Sequence, residues 1–222
     1  MVDPLTSLIA ASLAFVGTHF AMSHPLRGPM VRALGDTGFM IAYTLVSAAT
    51  MAWMYFAFVA IPAGAPLWGG YGDAVWVVAS VITLVAMVLF AGSLIGNPAL
   101  PAPGAEQAAQ KEPAGVFKVT RHPMMWGFAL WALSHLIAAP TARTVVVGLA
   151  IGTLALVGAH LQDRKKEVLM GDAWKTWEAN TSYWPRLGHL FAAGAIPWIG
   201  GIVIWLGATW LHAMEAGVWR WV

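Results

Sequence analysis

The sequence contains no cysteine and few charged residues. None of its 222 residues is Cys and only 10% are Asp, Glu, Lys or Arg, whereas 59% are hydrophobic. Without cysteine the chain forms no disulfide, uses no thiolate nucleophile and holds no Cys-ligated zinc or iron–sulfur site. A soluble domain carries about 25% charged residues, so this composition predicts an integral membrane protein. The net charge of +2 gives no indication of nucleic-acid binding.

The chain has instead a series of apolar stretches, each long enough or nearly long enough to cross roughly 30 Å of hydrocarbon. The 13 tryptophans are frequent near the ends of these stretches, as in interfacial aromatic belts. We therefore predict an all-α polytopic membrane protein with about six transmembrane helices, forming a single domain over residues 1–222. The stretches are 5–23, 37–61, 73–95, 123–139, 141–161 and 188–211.

The basic residues give this arrangement an orientation. Ten of the twelve lie in three alternate connections, and only Arg143 and Arg220 lie on the opposite side. By the positive-inside rule the ten mark the cytoplasmic face. The sequence thus predicts a multi-pass protein of the bacterial inner membrane with both termini in the periplasm.

Two connections are long. Residues 97–119 are rich in Pro, Ala and Gly, which predicts an irregular cytoplasmic loop. Residues 163–184 mix charges with apolar side chains at helical spacing, which predicts a short amphipathic helix at the cytoplasmic interface.

Seven histidines stand out in a chain with so few charges. A polar side chain in hydrocarbon needs a partner, so histidines within predicted spans are functional candidates. His122 and His135 open and close one predicted helix, and 13 residues of helix separate them by about 20 Å. They therefore belong to two different places. The histidines are at positions 19, 24, 122, 135, 160, 189 and 212.

Single imidazoles on separate apolar helices favour haem over a mononuclear metal ion. Zinc requires three or four clustered ligands, and the spans contain no His-x3-His or Glu-x-x-His pair. Haem iron needs only axial ligands from the protein, because the porphyrin supplies the other four. We expect an apolar crevice lined by Trp, Phe and Met.

Three segments resemble the NnrU family of bacterial membrane proteins, which includes the zeta-carotene isomerases. They are "VFKVTRHPMMWGFALWALSHL" (116–136), "GTHFAMSHPLR" (17–27) and "GAHLQDRKK" (158–166). The resemblance implies a haem b protein in which His19 and His135 are the axial ligands. It implies either redox-gated isomerisation of a hydrophobic polyene or a haem protein that supports denitrification.

The sequence departs from the isomerase branch of that family at one position. The branch has a cysteine three residues before its second histidine, where this chain has Ala132. The two implied ligands also differ in predicted depth, since His19 lies deep in the first span and His135 lies near the end of the fourth. His24 and His160 remain alternative ligands.

Arg-His-Pro before an apolar helix also resembles the isoprenylcysteine carboxyl methyltransferase superfamily. In that interpretation Arg121 and His122 bind S-adenosylmethionine at the cytoplasmic face, and Glu167 belongs to the downstream motif. Arg121 is otherwise an interfacial anchor, and Glu167 a solvated partner of Arg164 or Lys165. A third possibility is a non-catalytic membrane sensor or partner protein. Mid-membrane charges and inverted repeats, which indicate a transporter, do not occur in the sequence.

Overall fold

The computed structural model describes residues 3–70, 72–212 and 216–221, and this part of the chain is helical with no strand. Three short 3-10 helices, Gly115–Lys118, Leu187–Ala193 and Gly217–Trp221, connect or follow the α-helices. The predicted all-α class is confirmed. The α-helices are α1 (Pro4–Ser23), α2 (Arg27–Val59), α3 (Asp73–Ser93), α4 (Ala105–Ala109), α5 (Pro123–Ala138), α6 (Ala142–Met170), α7 (Asp172–Asn180) and α8 (Ala195–Trp210).

Local sequence signals explain where several helices begin. The carboxylate of Asp3 accepts a hydrogen bond from the amide of Thr6, and Pro4 follows at the first helical position of α1. Pro123 begins α5 in the same way. Within α2, Gly35 has a φ of 70°, which breaks the regular helix. The apolar part of α2 therefore begins after Gly35, close to the predicted start at residue 37.

Four helices, α1, α2, α3 and α6, are long and apolar enough to cross a membrane. The 3-10 helix Leu187–Ala193 and α8 together provide a fifth span if the bent pair is counted as one. The chain bends by 97° between them, at Gly194. Helix α5 has only 16 residues. By length and composition the described residues thus provide four or five candidate spans, against about six predicted; the fourth stretch forms the 16-residue α5 and the sixth stretch is bent.

The helices form a bundle in which α6 packs against both α1 and α5, and α3 packs against α5 and α8. Glycines allow the closest approaches: a Cβ on Gly127 of α5 would lie 2.9 Å from the carbonyl oxygen of Ala86 in α3. Helix α2 packs on α1. In the part of the chain that the structure describes, no comparable packing joins α2 to α5. A crevice with α6 as its floor lies between them.

The two ends of the bundle differ in charge. At one end Arg121 contacts Asp163, and this end, with Arg27 and Lys165, is called the basic end below. At the opposite end Arg143 donates a hydrogen bond to the Ile61 carbonyl, and Arg220 pairs with Asp73 at the start of α3. The predicted separation of Arg143 and Arg220 from the other basic residues is thus found in the structure.

The predicted amphipathic helix exists, with different bounds and a different partner. Helix α6 continues to Met170, and α7 follows as a separate helix. The apolar face of α7 carries Trp174 and Trp177, which are 0% and 3% exposed and pack with Val116 and Phe117. This face therefore contacts the interior of the protein. The predicted irregular loop 97–119 contains the short helix α4 and a 3-10 turn.

Candidate functional site

His19 lies on the face of α1 that borders the crevice. Its Nδ1 is 2.7 Å from the Phe15 carbonyl oxygen, one turn earlier in the same helix. A carbonyl only accepts, so Nδ1 carries the proton and Nε2 keeps its lone pair in the neutral ring. The ring lies beside Phe15 and edge-on to Tyr43 of α2, with centroids 5.4 Å apart. Nε2 has no hydrogen-bond partner among the described residues.

His135, in the last turn of α5, has the same arrangement. Its Nδ1 is 2.8 Å from the Trp131 carbonyl oxygen, and its ring lies 4.2 Å from the Trp131 ring. The ring of His212 lies 6.0 Å away. The Nε2 of His135 is likewise without a partner in residues 3–70, 72–212 and 216–221. Metal-bound histidines usually donate their second ring N–H to a carbonyl or carboxylate, so both rings are prepared for a ligand at Nε2.

The two histidines line different cavities of the crevice, and His135 also lines a smaller cavity of about 150 Å³ between α3, α5 and α8. The cavity that contains His19, called the His19 cavity, has a volume of about 370 Å³ and is enclosed by α1, α2, α5 and α6. The His135 cavity, of about 260 Å³, lies between α2, α5 and α6 and also contains His212. Met51 of α2 lines both cavities. The two cavities are therefore neighbours along the crevice, with the Met51 side chain between them.

Contacts with α6 give the depth of each histidine in the bundle. In α5, Ala132 lies beside Gly152, and this helix is antiparallel to α6, so His135 is level with about residue 149. In α1, Phe20 lies beside Gly158, and this helix is parallel to α6, so His19 is level with about residue 157. About eight residues of helix separate the two levels, which corresponds to roughly 12 Å.

The direction of the side chains reduces this separation. A helical side chain tilts toward the N-terminus of its own helix. Helices α1 and α5 are antiparallel, so His19 tilts away from the basic end and His135 tilts toward it. The bonds to Phe15 and Trp131, each four residues earlier, have the same directions. The two imidazoles thus tilt toward each other along the crevice, although the structure does not bring them into one cavity.

The alternative ligands are less suited to this role. Both ring nitrogens of His24 are close to carbonyl oxygens, Nδ1 at 3.3 Å from that of Phe20 and Nε2 at 3.2 Å from that of Leu161. His160 is exposed and does not line either cavity. Neither residue offers a free ring nitrogen to the crevice in the way that His19 does.

Arg121 and His122, predicted as candidate cofactor ligands, join a buried network at the basic end. Asp163 of α6 is their common partner, and its side chain is 2% exposed. The Arg121 guanidinium donates to both oxygens of this carboxylate, with Nη2 2.7 Å from Oδ2. The Nε2 of His122 lies 2.8 Å from Oδ1. These bonds fix the start of α5 to α6.

Glu178 and Tyr183 complete the network. An oxygen of Glu178 lies 3.5 Å from Nη2 of Arg121, and burial together with the nearby Asp163 raises the pKa of the Glu178 carboxyl. The Tyr183 ring packs under the Arg121 guanidinium, and its hydroxyl donates to the Leu156 carbonyl. Burial raises the pKa of the Tyr183 hydroxyl. The network therefore ties α7 and the segment after it to α6.

The pairing of Asp163 with His122 was not predicted, because Asp163 falls at the start of the predicted interfacial helix 163–184 and not in a membrane span. One available signal was its position as the first acid after the apolar run of the fifth stretch. Glu167 pairs with exposed Arg164, at 3.1 Å, as one of the two alternatives predicted. Neither Arg121 nor His122 lines the His19 or the His135 cavity.

No group of three or more His, Cys, Asp or Glu side chains that could hold a metal ion occurs among the described residues. Three imidazoles whose Nε2 has no partner among the described residues are therefore the metal-ligating groups of the crevice: His19, His135 and His212, whose Nδ1 is 2.8 Å from the Ala208 carbonyl oxygen. They suit a metal that brings its other ligands with it.

The fold and the crevice define a polytopic α-helical membrane protein. A family model described as "NnrU protein" matches residues 7–220, nearly the whole chain, and the chain belongs to this family. The resemblance of three short segments is thus confirmed over nearly the whole chain. Neither the curated proteins nor the solved structures contain a match.

Proposed function

We propose that this protein binds haem b in the crevice between α2 and α5, where His19 and His135 would hold the iron. The observation that carries the proposal is the matched state of the two rings. Each Nδ1 is held by a carbonyl of its own helix, each Nε2 is free, and the rings tilt toward each other.

The lining of the crevice suits a porphyrin. The His19 cavity is walled by apolar side chains from all four helices, and the His135 cavity continues this lining. Ligand pockets usually measure about 300–1,000 Å³, so the two cavities together suit haem better than either alone. Joining them requires the Met51 side chain to move, and methionine is unbranched and flexible. The lining includes Phe15, Met125, Phe128, Ile151 and Leu154.

Bound haem would supply redox chemistry to the crevice, and chemistry on a small ligand or a polyene would require one of the two histidines to give up its place. The surrounding residues would exclude water and hold an apolar ligand beside the iron. The crevice is reached from the side of the bundle, where Tyr55 is 60% and Phe128 is 40% exposed. An apolar ligand would therefore enter from the bilayer. Isomerisation of such a ligand would proceed without a thiolate, since the chain has no cysteine. Ala132, at the position where the isomerase branch has one, is buried beside Gly152.

The same proposal includes an orientation. The basic end faces the cytoplasm of a bacterial cell and both termini lie on the periplasmic side of the inner membrane, by the positive-inside rule. The Arg121 network then lies at the cytoplasmic surface and His135 lies toward the periplasm.

The test is the absorption spectrum of the purified full chain, oxidised and reduced, followed by pyridine haemochrome analysis. Protein from haem-replete cells is expected to show a Soret band. His19→Ala and His135→Ala are each expected to lose haem or to shift its spectrum. The matched controls are His160→Ala and His189→Ala, because both residues are exposed. A colourless wild-type protein, or unaltered haem in both crevice variants, would refute the proposal.

The methyltransferase alternative receives less support, because Arg121 and His122 are engaged with Asp163. Calorimetric titration with S-adenosylmethionine separates the two functions. We expect no binding heat.

A further inference from the structure

Among the described residues, Lys165 of α6 is the only formally charged one that lines the His19 cavity. The other lining residues are apolar apart from a few neutral polar groups near the basic end. Helical side chains tilt toward the N-terminus of their helix, so the Lys165 stem runs from the basic end back toward the cavity. The side chain is partly buried. A cation in such a place needs a counter-charge.

The neighbouring acids do not provide that counter-charge. Asp163 is shared by Arg121 and His122, and Glu167 pairs with Arg164. Lys165 itself makes no ion pair or hydrogen bond within the described ranges.

The other cations near Lys165 have partners of their own. The Nζ of Lys166 lies 2.9 Å from the Pro98 carbonyl oxygen, which satisfies it inside the protein. Arg27 lies 4.0 Å from Asp36 and over the Phe39 ring. Lys165 is thus the cation of this cluster that faces a cavity and has no anion.

A second donor lies in the same cavity. Ser23 donates a hydrogen bond to the Tyr43 hydroxyl oxygen, at 3.3 Å, which leaves the Tyr43 proton free. Tyr43 and Ser23 both line the cavity together with Lys165. An ammonium and a hydroxyl at one end of an apolar cavity are the groups that hold a carboxylate on an apolar molecule.

We propose that Lys165 forms a carboxylate-binding subsite at the basic end of the His19 cavity, so that the ligand of this cavity is an apolar molecule with a carboxylate at that end. Haem has two propionates, of which one would reach this subsite. A single ammonium balances a single negative charge. The inference deepens the proposed function, because haem carries propionate carboxylates. A fatty acid presents the same chemistry from another source.

The test compares acids with their esters on the detergent-solubilised full chain. Haemin and haemin dimethyl ester are titrated by the Soret band, and cis-parinaric acid and its methyl ester by fluorescence. The variants are Lys165→Gln, Lys165→Arg and the control Arg164→Gln. Arg164 is the adjacent residue, its side chain is 59% exposed, and it does not line the cavity.

The wild type is expected to bind at least one acid with roughly tenfold higher affinity than its ester, because a charge-assisted hydrogen bond contributes about this much. Lys165→Gln is expected to remove this preference without weakening the binding of the ester. Lys165→Arg and Arg164→Gln are expected to keep it. The acid that is preferred identifies the source of the carboxylate.

Several results would overturn the subsite. The first is equal affinity of the wild type for each acid and its ester. The second is an equal loss of affinity for acid and ester in Lys165→Gln. The third is that no probe binds. If haemin fails to bind while parinaric acid is still preferred over its ester, the haem proposal falls and the carboxylate subsite remains. If haemin binds but neither acid is preferred, the haem proposal remains and the subsite falls.

Discussion

The histidine at the basic end and the histidines of the crevice use opposite ring nitrogens. His122 directs Nε2 to the Asp163 carboxylate, and its buried Nδ1 has no partner in the described part of the chain. His19 and His135 direct Nδ1 to a carbonyl one turn earlier and leave Nε2 free. The first arrangement joins two helices. The second restrains a ring on its own helix and presents the other nitrogen to a cavity, so only the second is prepared for a ligand.

Removing the shared carboxylate should have the largest effect on stability. Asp163→Ala leaves Arg121 and His122 without their common partner inside the protein, and breaking a buried ion pair from one side costs about 3–5 kcal/mol. Thermal unfolding in detergent, followed by tryptophan fluorescence, measures the loss. Asp172→Ala is the control, because Asp172 lies at the surface and pairs only with Lys175. Equal melting temperatures for the two variants would contradict a structural role for the network.

The histidines themselves can be compared in haem-free protein. His122→Ala removes a hydrogen bond to a buried carboxylate and should cost about 2 kcal/mol. His135→Ala removes a bond to its own helix and should cost about 1 kcal/mol or less. The measurement is chemical denaturation of both variants in the same detergent. The comparison fails if His135→Ala is the more destabilising of the two.

Filling the crevice should weaken haem binding and leave the fold intact. Met51→Trp places a large rigid side chain where the His19 and His135 cavities meet, and overpacking of this kind should weaken haemin binding by about tenfold. Met40→Trp is the matched control, since Met40 lies on the same helix, is 51% exposed and lines neither cavity. Soret titration gives the affinities. Unchanged affinity in Met51→Trp would place the haem elsewhere.

The smallest expected effect is on the pH dependence of stability, to which Glu178 contributes at the edge of the network. Because the pKa of Glu178 is raised in the folded protein, its contribution to stability is present at low pH and is lost as pH rises through the raised pKa. Glu178→Gln should therefore lack a small fall in stability as the pH rises above about 4, the ordinary range of a glutamate. The effect should stay below about 0.5 kcal/mol, since the Arg121 guanidinium opposes the rise in pKa and solvent still reaches the Glu178 side chain, which is 20% exposed.

Melting temperatures of wild type and Glu178→Gln at a series of pH values provide the measurement. Glu106→Gln serves as the control, because Glu106 is exposed on α4. A wild-type stability that rises over this range while the variant stays flat would reverse the assigned sign.

Periodicity and composition predicted the helices well where the length of an apolar run alone determines that it forms a helix. The first, third and fifth stretches correspond to α1, α3 and α6, since a run of about 20 apolar residues has few other stable forms in a bilayer. The sixth stretch forms two helices that meet at an angle of 97°, in place of one continuous helix. The cause is the bend at Gly194, whose φ of 88° is accessible to glycine and costs other residues strain.

The sequence alone was not sufficient to predict the contacts of the histidines. The sequence showed correctly that His122 and His135 serve different places, because 13 residues of helix keep them apart. It did not reveal Asp163 beside His122, since 41 residues separate the two along the chain. The depth difference between His19 and His135 was also foreseen. The opposing tilt of their rings depends on α1 and α5 being antiparallel.

The sequence by itself determined that this protein is helical, lacks thiol chemistry, belongs in a membrane and carries its basic residues mainly at one end. These properties follow from side-chain transfer energies and helix geometry, which act locally. The tertiary structure alone decided which imidazole nitrogens are free, which carboxylates are already paired and that Lys165 faces a cavity. Such features depend on how separate helices meet, and packing between distant segments is not encoded in any one of them.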